Sequence, residues 1–255
     1  MNSEKIDMSE NMRKGIYILP NLFTTGSLFA GFYSMVATMN GDFRTAAIWV
    51  LVSSIFDGLD GKVARLTGTS SKFGVEYDSL ADLVSFGVAP GLLMYSWALK
   101  PFGRLGWLAA FLFVVCGALR LARFNVHSGV SDRRYFVGLP TPAAAGIVAS
   151  VVLFLGNGVI SQWESAAVAA GTYIVAVLMV STFRYYSFKE LDFARRRPTG
   201  VLLLFVLAVL IVATHPQWFL LLLFSAYVLS GPTRPVWARR RDGALVAEKG
   251  SRDAH

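Results

Sequence analysis

Long apolar runs alternate with short polar segments along most of the chain. Each run approaches the roughly 20 residues that a helix needs to cross the hydrocarbon core of a bilayer. Eight such runs are visible, at 16–39, 43–60, 79–99, 105–124, 140–160, 165–183, 200–214 and 217–231. The last two are short and are separated only by the tripeptide HPQ, so they form either two crossings or one hairpin that dips into the bilayer and returns. The pattern predicts an all-α polytopic membrane protein with eight spans.

The composition supports this interpretation. Hydrophobic residues make up 55% of the 255 residues and charged residues only 16%, whereas soluble domains usually carry about 25% charged residues. The first fourteen residues are polar and lack the features of a cleaved signal peptide. The first helix is therefore expected to remain in the protein.

Basic residues are divided unevenly between the two predicted sets of loops. Of the 24 Lys and Arg residues, 21 fall on one side, and only Arg44, Lys100 and Arg104 fall on the other. Because Lys and Arg are retained on the cytoplasmic side, we expect a multi-pass protein of the cell membrane with both termini in the cytoplasm. The net charge of +8 is explained by attraction to anionic lipid head groups, and no nucleic-acid partner is predicted.

Acidic residues are concentrated in the segment 56–84, which holds five of the sixteen. Asp57 and Asp60 end the second apolar run, and Asp78 and Asp82 begin the third. Positions three or four apart share one face of a helix. Glycines and serines between the two pairs let the helices fold back on each other, so the four carboxylates are predicted to face one another on the cytoplasmic side.

Four carboxylates so close together repel one another, which predicts a bound cation. Oxygen ligands without Cys or His favour Mg²⁺ or Mn²⁺ over Zn²⁺, and such ions commonly hold phosphate. Gly61 and Ala64, on the same helical stripe, leave the backbone open to a bulky ligand. The guanidinium of Arg65 suits a phosphate oxygen. The predicted ligand is a metal-bound diphosphate.

Other interpretations of the carboxylates remain open at this stage. In the first interpretation the carboxylates form a solvated rim, and in the second they are counter-ions for nearby arginines. In the third they line the pathway of a divalent-cation transporter. Transporters typically show repeated halves or helices broken at the midplane, and neither is visible in the sequence. An intramembrane prenyltransferase also combines aspartates and metal with a diphosphate, but the G-x-x-A-R element of this chain argues against it.

The aspartate segment resembles the signature of the CDP-alcohol phosphatidyltransferases, D-x-x-D-G-x-x-A-R-x8-G-x3-D-x3-D. The match has no gap and comprises Asp57, Asp60, Gly61, Ala64, Arg65, Gly74, Asp78 and Asp82. Further stretches are similar to the bacterial and archaeal phosphatidylserine synthases: LPNLFT at 19–24, SLADLVSFGVAPGLL at 79–93, ALRLARFNV at 118–126 and GLPTPAAAG at 138–146.

The resemblance covers about residues 15–190 and implies a six-helix membrane core at 16–190. The expected organisation adds a cytoplasmic segment at 1–15, either a solvated tail or a helix on the membrane surface. Two additional membrane helices follow within 191–231, and a basic, disordered cytoplasmic tail occupies 232–255. The resemblance also implies a homodimer, which the sequence by itself does not.

The family implies the transfer of a phosphatidyl group from CDP-diacylglycerol to L-serine, with release of CMP. It assigns metal binding to Asp57, Asp60 and Asp78, and makes Asp82 the general base and a further metal contact. It places four more residues of this chain near the CDP part of the substrate: Asn21, Thr24, Gly61 and Ala64. Arg65 and Gly74 complete the expected CDP-diacylglycerol site.

The acceptor site must hold the carboxylate of serine, for which a planar guanidinium is better suited than an ammonium group. Arg120, Arg123 and Asn125 are the candidates, and Arg184 and Lys189 are further candidates for the phosphate or acceptor. The alternative role of the arginines is cytoplasmic anchoring. Glycerol phosphate or inositol phosphate are alternative acceptors, but they would require a denser basic pocket.

Overall fold

The computed structural model describes residues 2–67, 71–127, 135–156, 161–186 and 216–233. Side chains before residue 20 and the side chain of Arg65 are not described. The predicted span 200–214, Lys189 and nearly all of the predicted tail 232–255 also lie outside the described residues.

Seven helices and two short strands account for almost all of the described residues. The helices are α1 (Asn2–Met39), α2 (Phe43–Thr67), α3 (Lys72–Phe102), α4 (Arg104–His127), α5 (Thr141–Leu155), α6 (Gln162–Val180) and α7 (216–233). The strands are β1 (Tyr135–Val137) and β2 (Arg184–Tyr186). The backbone of α1 is helical from Asn2 onward, so the N-terminal segment continues into the first apolar run without a break.

Within the described residues, four helices are long and apolar enough to cross a membrane: Pro20–Met39, Lys72–Phe102, Arg104–Val126 and Gln162–Val180. Helix α5 is apolar but shorter. The chain is therefore a mainly helical integral membrane protein, as the apolar pattern predicts. The division into six core spans and two additional spans stays a prediction.

Helix starts follow from local sequence. Ser71 caps α3 by accepting a hydrogen bond from the Gly74 amide at 2.9 Å. Ser161 and Glu164 form a capping box at the start of α6, in which each side chain accepts a hydrogen bond from the other residue's backbone amide. These caps satisfy amides that would otherwise be left without partners in the first turn of a helix.

Helix α3 widens into a π-helix twice. It is α-helical over Lys72–Asp82, widens to a π-helix over Leu83–Val88, returns to α over Ala89–Met94, and widens again over Tyr95–Leu99. Asp78 and Asp82 lie on the first α-helical part, so they share one face, as their spacing predicts. The wide turn begins directly after Asp82, and π-helical turns are frequent at functional sites.

Small residues let α1 approach α2 and α3 closely. A Cβ atom added to Gly31 would lie 2.7 Å from the Cα atom of Ser85 on α3. The Ser85 Oγ donates to the Ser27 carbonyl at 3.0 Å, and the Ser27 Oγ donates to the Ser53 carbonyl on α2 at 3.2 Å. Close packing of this kind stabilises helices in lipid, and it holds α2 and α3 against the same helix, α1.

Strands β1 and β2 form an antiparallel pair that the sequence analysis did not predict. Phe136 pairs with Tyr185, and Gly138, which follows β1, has a φ of +80° that favours glycine. The Gly138 amide donates to the Phe183 carbonyl at 2.8 Å. The pair ties the start of α5 to the end of α6.

Helix α7 packs along α5 and reaches β2. The Phe154 and Trp218 rings make an edge contact at 4.5 Å, and the Phe224 ring lies against Gly146. Tyr185 on β2 is fully buried against Gly231 and donates to the Val228 carbonyl at 3.2 Å. Burial and the neighbouring Tyr227 raise the pKa of Tyr185 to about 12, so its hydroxyl keeps the proton that it donates.

Candidate active site

Three aspartates from two helices meet at one end of the bundle. Asp57 and Asp60 come from the second half of α2, and Asp78 comes from the first half of α3. One carboxylate oxygen from each lies within 4.8 Å of the other two. Asp60 is only 6% exposed, and Asp57 and Asp78 are partly buried.

Asp82 adds a fourth carboxyl group to this cluster. Its side chain, partly buried one turn beyond Asp78, is hydrogen-bonded to Asp57 and lies close enough to Asp60 and Asp78 to feel their charges. The structure thus brings together all four aspartates of the sequence motif. Like charges in so small a space repel one another, and a divalent cation offsets that repulsion.

The oxygens of the cluster fit a small hard cation. Each Mg²⁺–oxygen bond is ~2.1 Å long, so two oxygens on one ion are separated by at most roughly 4 Å. Carboxylate oxygens that already lie within 4.8 Å of one another need to move only slightly to share an ion. The donors are carboxylates only, which favours Mg²⁺ or Mn²⁺.

Thr24 on α1 holds one of the cluster carboxylates in place. It is 4% exposed, and its Oγ1 is 3.0 Å from Asp60 Oδ2 and 3.2 Å from the Pro20 carbonyl. The hydroxyl therefore ties α1 to α2 at the level of the cluster. The structure gives Thr24 a contact with a predicted metal ligand, which the sequence motif does not reveal.

The side of the cluster near Gly61 is open. A Cβ atom added to Gly61 would meet no atom within 4 Å, and the same holds for Gly58 one turn earlier. Gly74, by contrast, lies against protein atoms, since its Cβ would be 3.4 Å from the Asn21 Oδ1. Ala64 is partly buried one turn after Gly61. The absence of a side chain at Gly61 is therefore not required by packing among the described residues.

Arg120 on α4 is buried within electrostatic range of Asp82. It is 8% exposed, and the Asp82 carboxylate is the group whose charge favours its guanidinium most. Its Nη1 donates to the Thr141 Oγ1 on α5 at 3.3 Å. Its Nε is buried without a hydrogen-bond partner within the described ranges. A buried donor without a partner is costly, so this guanidinium is suited to receive a ligand oxygen.

The other predicted acceptor residues join helices to each other. Arg123 is exposed, and its Nη1 donates to the Val180 carbonyl at the end of α6, at 3.0 Å. Asn125 donates through Nδ2 to the Ser79 Oγ on α3, at 2.9 Å. Arg184 is exposed on β2. Among these candidates, Arg120 is thus the residue on which the charge of a cluster aspartate, Asp82, acts.

Sequence reasoning missed three polar residues near the site. The Tyr77 hydroxyl on α3 shares a hydrogen bond with the Thr25 Oγ1 on α1 at 2.9 Å, and Thr141 is the partner of Arg120. Tyr227 on α7 is the third, a partly buried phenol whose ionised form would favour the Arg120 guanidinium. Tyr77 lies between Gly74 and Asp78 of the motif, so its position near the site could have been predicted. No sequence pattern around Tyr227 predicts a position near the site.

Comparison with known proteins agrees with the resemblance seen in the sequence. The family model described as CDP-alcohol phosphatidyltransferase matches residues 17–183. The CDP-diacylglycerol–serine O-phosphatidyltransferase of Helicobacter pylori J99 is 46% identical over 176 residues, which cover 69% of this chain and 74% of that protein. The archaetidylserine synthase of Methanothermobacter thermautotrophicus is 38% identical over 70% of this chain and 73% of its own length.

A relative from Bacillus subtilis, also called CDP-diacylglycerol–serine O-phosphatidyltransferase, is 33% identical over 172 residues. The match covers 68% of this chain but 92% of the Bacillus protein, which is therefore the shorter of the two. The four aspartates and Arg120 lie within the part of this chain that the family model matches, and α7 lies beyond it.

Proposed function

Since this chain belongs to the CDP-alcohol phosphatidyltransferase family, we propose that it transfers the phosphatidyl group of CDP-diacylglycerol to L-serine. The serine hydroxyl oxygen bonds to the phosphorus of the phosphatidyl group, and the bond from that phosphorus to CMP breaks. The products are phosphatidylserine and CMP. The proposal is carried by the four-carboxylate cluster with a buried guanidinium at its edge.

The diphosphate of the lipid substrate is assigned to the aspartate cluster. Asp57, Asp60 and Asp78 would hold Mg²⁺ or Mn²⁺, because their oxygens already lie within 4.8 Å of one another. When bound, such an ion neutralises diphosphate charge and stabilises the leaving CMP. Thr24 restrains Asp60 by its hydrogen bond, which limits the rearrangement that ligand binding requires.

Asp82 is assigned the role of general base. An alcohol is a weak nucleophile at neutral pH, so the reaction needs a group that accepts the hydroxyl proton of serine. Asp82 is hydrogen-bonded to Asp57, and its charge also acts on the Arg120 guanidinium. It therefore interacts with both the proposed diphosphate site and the proposed acceptor site.

Arg120 is assigned to the carboxylate of serine. Its guanidinium presents donors in a planar fork that matches a carboxylate, and its Nε has no partner among the described side chains. A phosphorylated acceptor carries more negative charge and would require more basic groups than this guanidinium. The relatives named for serine or archaetidylserine synthesis point to the same acceptor class.

The active site is assigned to the cytoplasmic side of the cell membrane. The cluster lies at the bundle end where the loops are rich in Lys and Arg. CDP-diacylglycerol would enter from the cytoplasmic leaflet and L-serine from the cytoplasm. The homodimer that the resemblance implies stays a prediction.

The identity of the acceptor alcohol is tested by measuring CMP release from purified protein given CDP-diacylglycerol, Mg²⁺ and each of a panel of labelled alcohols. We expect CMP release with L-serine and none above background with glycerol phosphate or inositol phosphate. Release with a phosphorylated acceptor alone would overturn the choice of serine. Mg²⁺ flux into sealed vesicles without any CMP release would instead favour a transporter.

Replacing Gly61 with alanine is expected to lower serine-dependent CMP release by ~10-fold or more. The new methyl group meets no protein atom within 4 Å, so the substitution leaves packing intact, and alanine is favoured over glycine in a helix. The loss arises because the methyl group occupies space assigned to the CDP part of the substrate. The measurement is the KM for CDP-diacylglycerol together with the melting temperature.

Gly58→Ala is the matched control for this prediction. Gly58 lies on the same helix and has the same open surroundings, but it is not a fixed residue of the motif. Its variant is expected to keep the KM of the wild type. Equal kinetic effects of the two substitutions would show that Gly61 does not face the substrate.

A further inference from the structure

A groove lies between α5 and α6, and we call it the α5–α6 groove. It is lined by the second half of α5, by α6 from Glu164 to Val175, and by Met94 of α3 and Leu221 of α7. Its volume is about 310 Å³, whereas sites that hold a small molecule usually measure roughly 300–1,000 Å³. The groove is therefore large enough for part of a ligand of that class.

The α5–α6 groove lies away from the aspartate cluster. Helix α5 begins at Thr141 and α6 ends at Val180, and both residues accept hydrogen bonds from arginines near the end of α4. The groove uses the later part of α5 and the earlier part of α6, so it extends towards the opposite face of the membrane. The stretch from Glu164 to Val175 is ~16 Å long at 1.5 Å per residue, about half of the ~30 Å hydrocarbon core. The groove thus has the length of one leaflet.

The wall of the groove is suited to a hydrocarbon chain. Val148, Val168 and Val175 are buried residues of the lining. Thr172 also lies in the wall, but its hydroxyl donates to the Val168 carbonyl at 2.8 Å, so that donor is used within α6. A Cβ atom added to Gly171 would meet no atom within 4 Å, which leaves the middle of the groove open. An acyl chain fills such a space without leaving polar groups unsatisfied.

Glu164 gives the groove a negative charge at the end where α6 begins. It is exposed, and its Oε2 accepts hydrogen bonds from the Ser161 amide and the Ser161 hydroxyl, each at 2.7 Å. These two bonds hold the carboxylate in place at the mouth of the groove. A fixed carboxylate attracts an ammonium group and disfavours a head group with net negative charge. Charge complementarity therefore selects among the lipids that reach this position.

We propose that the α5–α6 groove binds one acyl chain of a phospholipid whose head group carries an ammonium, from the leaflet opposite the active site. The chain lies along Gly171, and the ammonium lies at Glu164. Leu221 brings α7 into the same groove, so the lipid links this helix to the part of the chain that the family model matches. The inference is independent of the proposed function, because no step of the transfer is assigned to these residues.

The test compares two photoreactive lipids, phosphatidylethanolamine and phosphatidylglycerol, that carry the same diazirine-bearing acyl chain. Each is added in trace amount to liposomes that contain the full-length protein, and labelled peptides are identified by mass spectrometry after illumination. We expect labelling to concentrate in residues 147–155 and 164–175. The phosphatidylethanolamine probe should label this region ~3-fold more than the phosphatidylglycerol probe, a preference of the size expected for one exposed charge pair. The two probes should label the remaining lipid-facing helices equally.

Gly171→Leu is expected to lower labelling of the groove by ~10-fold, because the new side chain occupies the space of the acyl chain, and overpacking of this kind costs 1–3 kcal/mol. Leucine is favoured over glycine in a helix, so the melting temperature should not fall. Ala170→Leu is the matched control, since Ala170 is the neighbouring residue, is exposed, and does not line the groove. Its variant should be labelled like the wild type.

Glu164→Gln tests the choice of head group. Glutamine also serves in a capping box, so the start of α6 is expected to be retained while the charge is lost. This variant should be labelled equally by the two probes. A preference that persists in Glu164→Gln, an equal loss in both leucine variants, or labelling spread evenly over the lipid-facing helices would overturn the inference. A groove that neither lipid labels would also overturn it and would indicate a second copy of the chain or the segment 200–214 as the occupant.

Discussion

Replacing Asp82 with asparagine is expected to lower serine-dependent CMP release by about 10²- to 10⁴-fold, the usual contribution of a general base. Asparagine keeps the size of the side chain but cannot accept the hydroxyl proton. It also removes a negative charge from a crowded cluster, so the fold is expected to be retained. The measurement is the rate of CMP release at saturating CDP-diacylglycerol and L-serine.

Asp42→Asn serves as the control for the Asp82 variant. Asp42 is exposed in the turn between α1 and α2, where its Oδ1 accepts a hydrogen bond from the Thr45 amide at 3.1 Å. Asparagine caps a helix about as well as aspartate, so this variant should have wild-type activity. An Asp82→Asn enzyme with more than about a tenth of the wild-type rate would remove Asp82 from the role of base.

Removal of divalent cations by a chelator is expected to reduce CMP release to background, and added Mg²⁺ or Mn²⁺ should restore it. The three carboxylates of Asp57, Asp60 and Asp78 provide the donor set, and a divalent ion contributes several kcal/mol to the stabilisation of transition-state charge. Asp78→Asn should lower the rate by ~10³-fold at the same Mg²⁺ concentration.

Thermal stability gives a second readout for the metal site. A ligand that binds only the folded protein raises its melting temperature, so Mg²⁺ should stabilise the wild type and not Asp78→Asn. Glu76→Gln is the control, because Glu76 lies exposed on the same helix outside the cluster. Turnover that persists in excess chelator, or equal stabilisation of the wild type and Asp78→Asn by Mg²⁺, would contradict the assignment.

The aspartate cluster was predictable because its information is local. Asp57 and Asp60 share a helical face through their spacing, as do Asp78 and Asp82. A short connection keeps the two helices near each other, and α1 packs against both. The structure brings the four carboxyl groups into one cluster. The apolar runs likewise predicted where the described helices lie, because each run has to match the thickness of the bilayer. Three helices extend well beyond their runs, since α1 begins at Asn2, α2 continues to Thr67 and α3 begins at Lys72.

The acceptor side was less predictable because it depends on contacts between distant parts of the chain. Arg120 and Arg123 are three residues apart and look equivalent in the sequence. Arg120 is nevertheless buried within electrostatic range of Asp82, whereas Arg123 is exposed and donates to the end of α6. The pairing of β1 with β2 and the hydrogen bond from the Tyr185 hydroxyl to the Val228 carbonyl on α7 join segments far apart in sequence. Helical periodicity carries no information about either.

The π-helical turn at Leu83–Val88 sets how the part of α3 that carries Asp82 is rotated relative to the part that packs in the core. Each residue of an α-helix rotates the chain by about 100°, so adding or removing one residue in this stretch would turn everything after it by that amount. If Asp82 still faced the cluster, Leu93 would leave its buried position in the core. If Leu93 stayed buried, Asp82 would turn away from the cluster. The number of residues between Asp82 and Leu93 is therefore dictated by the geometry of the bundle.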